Sequence, residues 1–139
     1  MACSIDWYVE NEIIYVRYWG VISIEDVRHG LATTKAMIDG SPRHLVHVIY
    51  DVGEIEVPLN PKENLALVRE SGTHPRAGWN VMVGEKSVLI RMGSKLGAGL
   101  LNVRIWSVDT VEESEAFLHD RDSAIRWENV NKAILEIGH

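Results

Sequence analysis

A chain of 139 residues, 46% of them hydrophobic and 24% charged, is long enough for one packed core and too apolar to be a disordered chain. Fourteen basic residues against twenty acidic ones give a net charge of −6, which argues against binding driven by nucleic-acid phosphates or anionic lipid. The sole cysteine, Cys3, excludes an intrachain disulfide, and no apolar stretch approaches the roughly 20 residues that insert across a bilayer. The first residues carry Asp6 and Glu10 where a basic and then apolar leader would stand. These features together predict one domain over 1–139 in the cytoplasm.

Charge is unevenly spread. Residues 62–104 hold seven basic side chains against three acidic ones, while both flanking stretches are acidic. Such segregation either polarises the surface or simply decorates solvated helix faces.

Ile5, Trp7 and Val9 alternate with polar neighbours, the period-two mark of a strand with one buried face. The run Ile13 to Trp19 is β-branched and aromatic, so the two strands form a hairpin whose loop contains Asn11, a residue that tolerates positive φ. Ser23 and Asp26 make a capping-box pattern, and Val27, Leu31, Thr34 and Ile38 form a helical stripe that ends near Gly40. Leu45 to Tyr50 reads as a central third strand, apolar on both faces. Asp51 to Asn60, with Gly53 and Pro58 among acidic residues, reads as a loop.

Asn60 caps a second helix with Pro61 at its first position, ending near Gly72. A polar connector, 73–78, leads into a fourth strand from Trp79 to Val83. Leu89, Met92, Leu96 and Leu100 mark a third helix between Ser87 and Leu101, although each of Gly93, Gly97 and Gly99 costs about 1 kcal/mol against alanine. Close backbone packing would offset that cost. Val103 to Val108 is the fifth strand, Thr110 and Glu113 cap a fourth helix through His119, and Asp122 caps a last helical segment bearing Ile125, Trp127, Ile134 and Ile137. The pattern predicts an α/β domain, a five-stranded mixed sheet with helices mainly on one face.

This order of elements resembles the STAS fold of anti-sigma factor antagonists, in its SpoIIAA-like branch. The resemblance rests on Ile14 to Gly20 leading into Ser23-Ile24-Glu25-Asp26, on His44 to Asp51, and on Val103 to Phe117. A phosphorylation-controlled member would carry Asp-Ser-(Ser/Thr)-Gly after the third strand. Asp51 matches its acidic end, but no Ser or Thr stands between Asp51 and Asn64, so the switch does not carry over. The resemblance still implies a noncatalytic regulatory or binding module that recognises a protein partner or a small ligand by the same end of the sheet, and in open sheets the loops beyond the carboxyl ends of strands are favoured binding places.

Chemistry-bearing residues are sparse. His44 and His47, three apart on a strand, point to opposite faces and suit no shared metal ion. The run Gly93 to Gly99 lacks the P-loop order, and Cys3 and the serines lie in no nucleophile motif. No metal, cofactor or catalytic set is therefore expected. Asp51 and Gly53 after the third strand, with His74 and Trp79 beside the fourth, are the candidate ligand or partner residues. Tyr15, Arg17 and Trp19 add an aromatic sheet face, open to a partner or a second copy unless the terminal segment folds over it. Two rivals stand beside the protein-binding reading. One is a carrier of a small apolar ligand in a pocket lined by Leu89, Met92, Leu96 and Trp79. The other is a small enzyme using Asp51 or His74, which requires these groups to converge in one cleft.

Overall fold

The computed structural model describes residues 2–87 and 103–136. Five strands form one sheet in sequence order: β1 (Cys3–Val9), β2 (Ile13–Val21), β3 (Val46–Val57), β4 (Ala77–Val83) and β5 (Arg104–Val108). The first pair is antiparallel and the remaining three pairs are parallel, giving the mixed sheet expected. Asn11 takes φ 65° in the hairpin turn, and Glu12 N donates to Val9 O.

Three helices are described: α1 (Ile24–Gly40), α2 (Pro61–Ser71) and α3 (Val111–Arg121). Each begins on the cap that the sequence advertises. Ser23 and Asp26 form a complete reciprocal capping box, Asn60 accepts from Lys62 N, and Thr110 accepts from Glu113 N. The helix expected between Ser87 and Leu101 falls largely outside the described residues.

The sheet has a core on each face. Ile14, Val16, Tyr18, Val46 and Val48 pack with Ile38 and Val27 of α1, and α2 lies beside α1, tied to it by Arg28–Glu70 and by Lys35 donating to Ser71 O. On the other face Tyr8, Ile13, Tyr15, Ile49 and Val81 meet Leu118 of α3 together with Ile125 and Ile134. The segment after α3 is not the capped helix expected from Asp122. It runs as two 3-10 turns, Trp127–Asn129 and Lys132–Glu136, anchored by a Val9–Val130 bridge and by Asn131 N donating to Tyr8 O. Tyr8, Glu115 and Lys132 join in one hydrogen-bonded group that fixes the second turn to α3. Burial, with the Glu115 bond, pushes the Tyr8 hydroxyl up to about 12.

Two expectations change accordingly. The third strand does not stop at Tyr50 but continues to Val57, because β2 is itself nine residues long and offers a ladder partner as far as Val21. The aromatic face is not bare: Tyr15 is 3% and Arg17 1% exposed. The C-terminal turns and α3 pack over Tyr15, and Arg17 is buried as well, so a second copy of the chain has no access to these two side chains. Trp19, near the strand end, stays partly exposed.

Candidate functional site: the two ends of the sheet

Because β2 to β5 run parallel, the sheet has a carboxyl end and an amino end, and the candidate residues divide between them. At the carboxyl end Asp51 sits inside β3, opposite Arg17 on β2 and Val83 on β4. Tyr15 donates its hydroxyl to Asp51 Oδ2 at 2.5 Å, and Gly53 N donates to Oδ1 at 3.3 Å, so both carboxylate oxygens are engaged. Burial, reinforced by the Asp51 hydrogen bond, raises the Tyr15 hydroxyl well above its usual range and keeps it a neutral donor. Arg17 reaches Glu54 at 2.6 Å. The site thus brings together Tyr15, Arg17, Asp51 and Gly53 of the expected set.

Gly84 completes this end and was not foreseen. Its φ is +81°, and a β-carbon there would lie 2.9 Å from Gly53 Cα. The chain leaving β4 therefore crosses directly against β3, which only a pair of glycines allows. The sequence signal was available in Val83-Gly84-Glu85, a glycine immediately after a strand.

Beyond Asp51, β2 and β3 project as a two-stranded arm. Val21 pairs with Val57 at its tip, and these side chains are 64% and 53% exposed, with Ile24 at the start of α1 39% exposed nearby in sequence. A shallow pocket lies between Ile24, Arg28, Ala66 and Leu67, where α1 meets α2.

His74 and Trp79 belong to the opposite end. His74 lies before β4, where its Nε2 donates to Asp39 Oδ1 at 2.6 Å and its Nδ1 accepts from Arg76 N at 3.0 Å. The His74 bond draws the Asp39 carboxyl below its usual range. Arg76 beside it donates to the carbonyls of Ser41, Arg43, Ile38 and Asp39. α1 carries no basic residue in its last turn, and Arg76 supplies that charge to its orphan carbonyls from another element. His74 is accordingly a tether of the connector to α1. It does not converge with Asp51, which stands at the far end of the parallel strands.

His47 makes the tightest polar junction at the amino end. Its Nδ1 accepts from Trp79 N at 2.9 Å, and its Nε2 faces Asp122 Oδ2 at 2.8 Å, which places the proton on Nε2. Burial holds the imidazole neutral, its pKa below the ordinary value of 6.5, despite the opposing pull of Asp122. With both ring nitrogens committed, His47 is a structural residue and not a free base. Gly78 makes room for it: a β-carbon at that position would lie 2.4 Å from Nδ1. Asp122 also takes Arg43 Nη2 at 3.0 Å, while the buried Glu12 holds Arg43 at 3.7 Å and Arg126 at 3.5 Å.

Asp122, read from sequence only as a cap, is thus the hub that joins β3 to the C-terminal segment. Among the described residues no group of three or more His, Cys, Asp or Glu side chains could hold a metal ion, and no helix is long and apolar enough to cross a membrane. Of the pocket expected for an apolar ligand, Leu89, Met92 and Leu96 lie outside the described residues, and Trp79 lines a different, basic pocket instead.

No family model and no curated protein matches the chain. Solved structures do, among them the following two. An uncharacterized protein of the DUF3478 family with a SpoIIAA-like fold, from Shewanella loihica PV-4, superposes with a TM-score of 0.60 at 12% identity, covering 84% of this chain and 94% of its own. The anti-sigma factor antagonist SpoIIAA in its unphosphorylated form superposes with a TM-score of 0.54 at 13% identity, covering 86% of this chain and 97% of its own. The chain therefore has the STAS, SpoIIAA-like fold that its element order resembles.

Proposed function

We propose that this chain is a noncatalytic binding module that recognises a protein partner through the carboxyl end of its sheet, without a phosphoacceptor hydroxyl after the third strand. The observation that carries this reading is the arm of β2 and β3, which ends in the exposed pair Val21 and Val57, with the exposed Ile24 three residues after Val21. Exposed apolar side chains clustered at a strand end are costly to leave in water and are a common core of protein interfaces. The fold supports the reading, since one of its structural neighbours is an anti-sigma factor antagonist.

The polar groups at this end are arranged for rigidity. Asp51 is tied by Tyr15 and Gly53, and Arg17 is held against Glu54. A preorganised arm loses little entropy when a partner docks. Where a switch-controlled relative would present a hydroxyl, this chain offers an acidic, hydroxyl-free stretch from Asp51 to Asn64, so recognition here is constitutive.

The test is comparative capture from a lysate of the native host, with the intact chain and the double variant Val21→Asp, Val57→Asp immobilised in parallel. Both valines are solvent-facing, and although the two aspartates face one another across the strands, the variant should lose no more than about 1 kcal/mol of stability. A protein retained by the native chain and lost from the variant is the expected result. Equal retention by both, or retention by neither, contradicts the reading.

A further inference from the structure

The amino end of the sheet carries a feature that partner recognition at the other end does not use. A pocket of about 240 Å³ opens there between the starts of β3, β4 and β5 and the end of α3, and its walls include Arg43, Arg104, Arg121 and Asp122 with Trp79 and Leu45. Among the lining residues three guanidinium groups stand against one carboxylate, with Glu12 behind Arg43, in a chain whose net charge is −6.

The cations are not equally matched. Arg43 shares Asp122 and Glu12, yet its Nη1 is buried with no hydrogen-bond partner. Among the described residues no carboxylate lies within ion-pair distance of Arg104 or Arg121. Arg121 is held instead by rings, its Cζ 5.5 Å from the Trp79 centroid and 5.0 Å from that of Phe117. Stacking of this kind fixes the plane of a guanidinium while leaving its N–H groups free to donate. Like charges lining one pocket, two of them with no carboxylate at ion-pair distance among the described residues, are a configuration that an anion relieves.

We propose that this pocket binds a phosphate group, either free or as a small phosphate monoester, with Arg43, Arg104 and Arg121 donating to its oxygens and Trp79 and Leu45 flanking whatever carries it. A phosphate dianion complements a lining in which guanidinium groups outnumber carboxylates, and planar guanidinium forks match its oxygen geometry. The volume is below the range of pockets for drug-sized ligands, so the organic part must be small. Asp122 stands at the rim with its Oδ2 already committed to His47 and Arg43, which limits its repulsion of the anion.

The experiment is an NMR titration of the full chain, following the Trp79 indole N–H and the Arg104 amide. Inorganic phosphate, glycerol 2-phosphate and acetate are added separately at constant ionic strength. The expected result is saturable shifts with a Kd at or below about 1 mM for phosphate or its monoester, and binding of acetate weaker by about tenfold or more. A tighter Kd for the monoester than for free phosphate would mark the ester as the ligand type; the reverse would mark the free ion.

The double variant Arg104→Gln, Arg121→Gln should raise the phosphate Kd by about tenfold or more. Arg28→Gln, whose side chain pairs with Glu25 and Glu70 away from the pocket, should leave it unchanged. Both residues of the double variant are exposed, and an unaltered amide spectrum elsewhere confirms its fold. Shifts that do not saturate, that acetate reproduces at equal concentration, or that survive the double substitution would overturn the proposal.

Discussion

At the scale of single residues, His47 shows how a buried polar group can specify a junction without doing chemistry. Its two ring nitrogens bind a backbone N–H of β4 and a carboxylate beyond α3, so it locks three elements in one neutral tautomer. Burial lowers its pKa below 6.5. In the unfolded chain it takes a proton near that value while the native state does not, so this residue's contribution is complete above pH 6.5 and declines as pH falls toward the native pKa. Urea unfolding followed across that window should show stability falling by up to about 1.4 kcal/mol per pH unit, a slope that His47→Gln reduces. An unchanged slope in the variant would contradict the assignment. Gly78→Ala tests the same junction from the other side: the added methyl collides with Nδ1, and overpacking of this kind should cost about 2 kcal/mol in the same assay.

At the scale of elements, the turns after α3 carry more weight than their irregularity advertises. Ile125 and Ile134 close the core over Tyr8, Tyr15 and Ile49, and the Val9–Val130 bridge binds that strap to the edge of the sheet. Ile134→Ala should therefore destabilise the whole fold by about 2 to 4 kcal/mol in chemical denaturation, a core value and not a surface one. A loss below about 0.5 kcal/mol would show that the strap is dispensable.

What could be read in advance follows from how local each signal is. The caps at Ser23, Asn60 and Thr110 and the positive φ of Asn11 involve neighbours within a few residues, and all are found in the structure; the one-sided alternation expected of β1 is not, because both faces of the sheet are covered and Tyr8 is buried with Val9 in one core while Ile5 and Trp7 pack against the other. The extension of β3 through Asp51, Gly53, Glu54 and Glu56 looked like a loop because its composition is that of a loop. Its strand geometry is imposed from outside by β2. The burial of Arg17, the role of Arg76 at the end of α1, and the meeting of Asp122 with His47 join residues far apart in the chain. No periodicity encodes such pairings, and 3-10 turns have no apolar period by which a covering segment could be foreseen. Asp51 and Gly53 were picked out because strand ends in parallel sheets are expected binding places, and the structure places them together within β3. Gly84 was missed because its importance lies in the backbone it passes.

At the scale of the molecule, parallel strands give the sheet two chemically distinct ends. The carboxyl end is a stiffened arm tipped with apolar side chains, and the amino end is a charged junction with an arginine-lined pocket. Two-faced coverage of the sheet removes the aromatic surface as a route to self-association through Tyr15 and Arg17, and the proposed recognition is assigned to the ends. The most direct test of that division is amide hydrogen exchange on the chain alone and in complex with its captured partner. New protection concentrated in Val21 to Ile24 and Val52 to Val57, with Arg43 to His47 unchanged, is the result predicted. Protection centred instead on Arg43 to His47 and Arg104 would contradict the account.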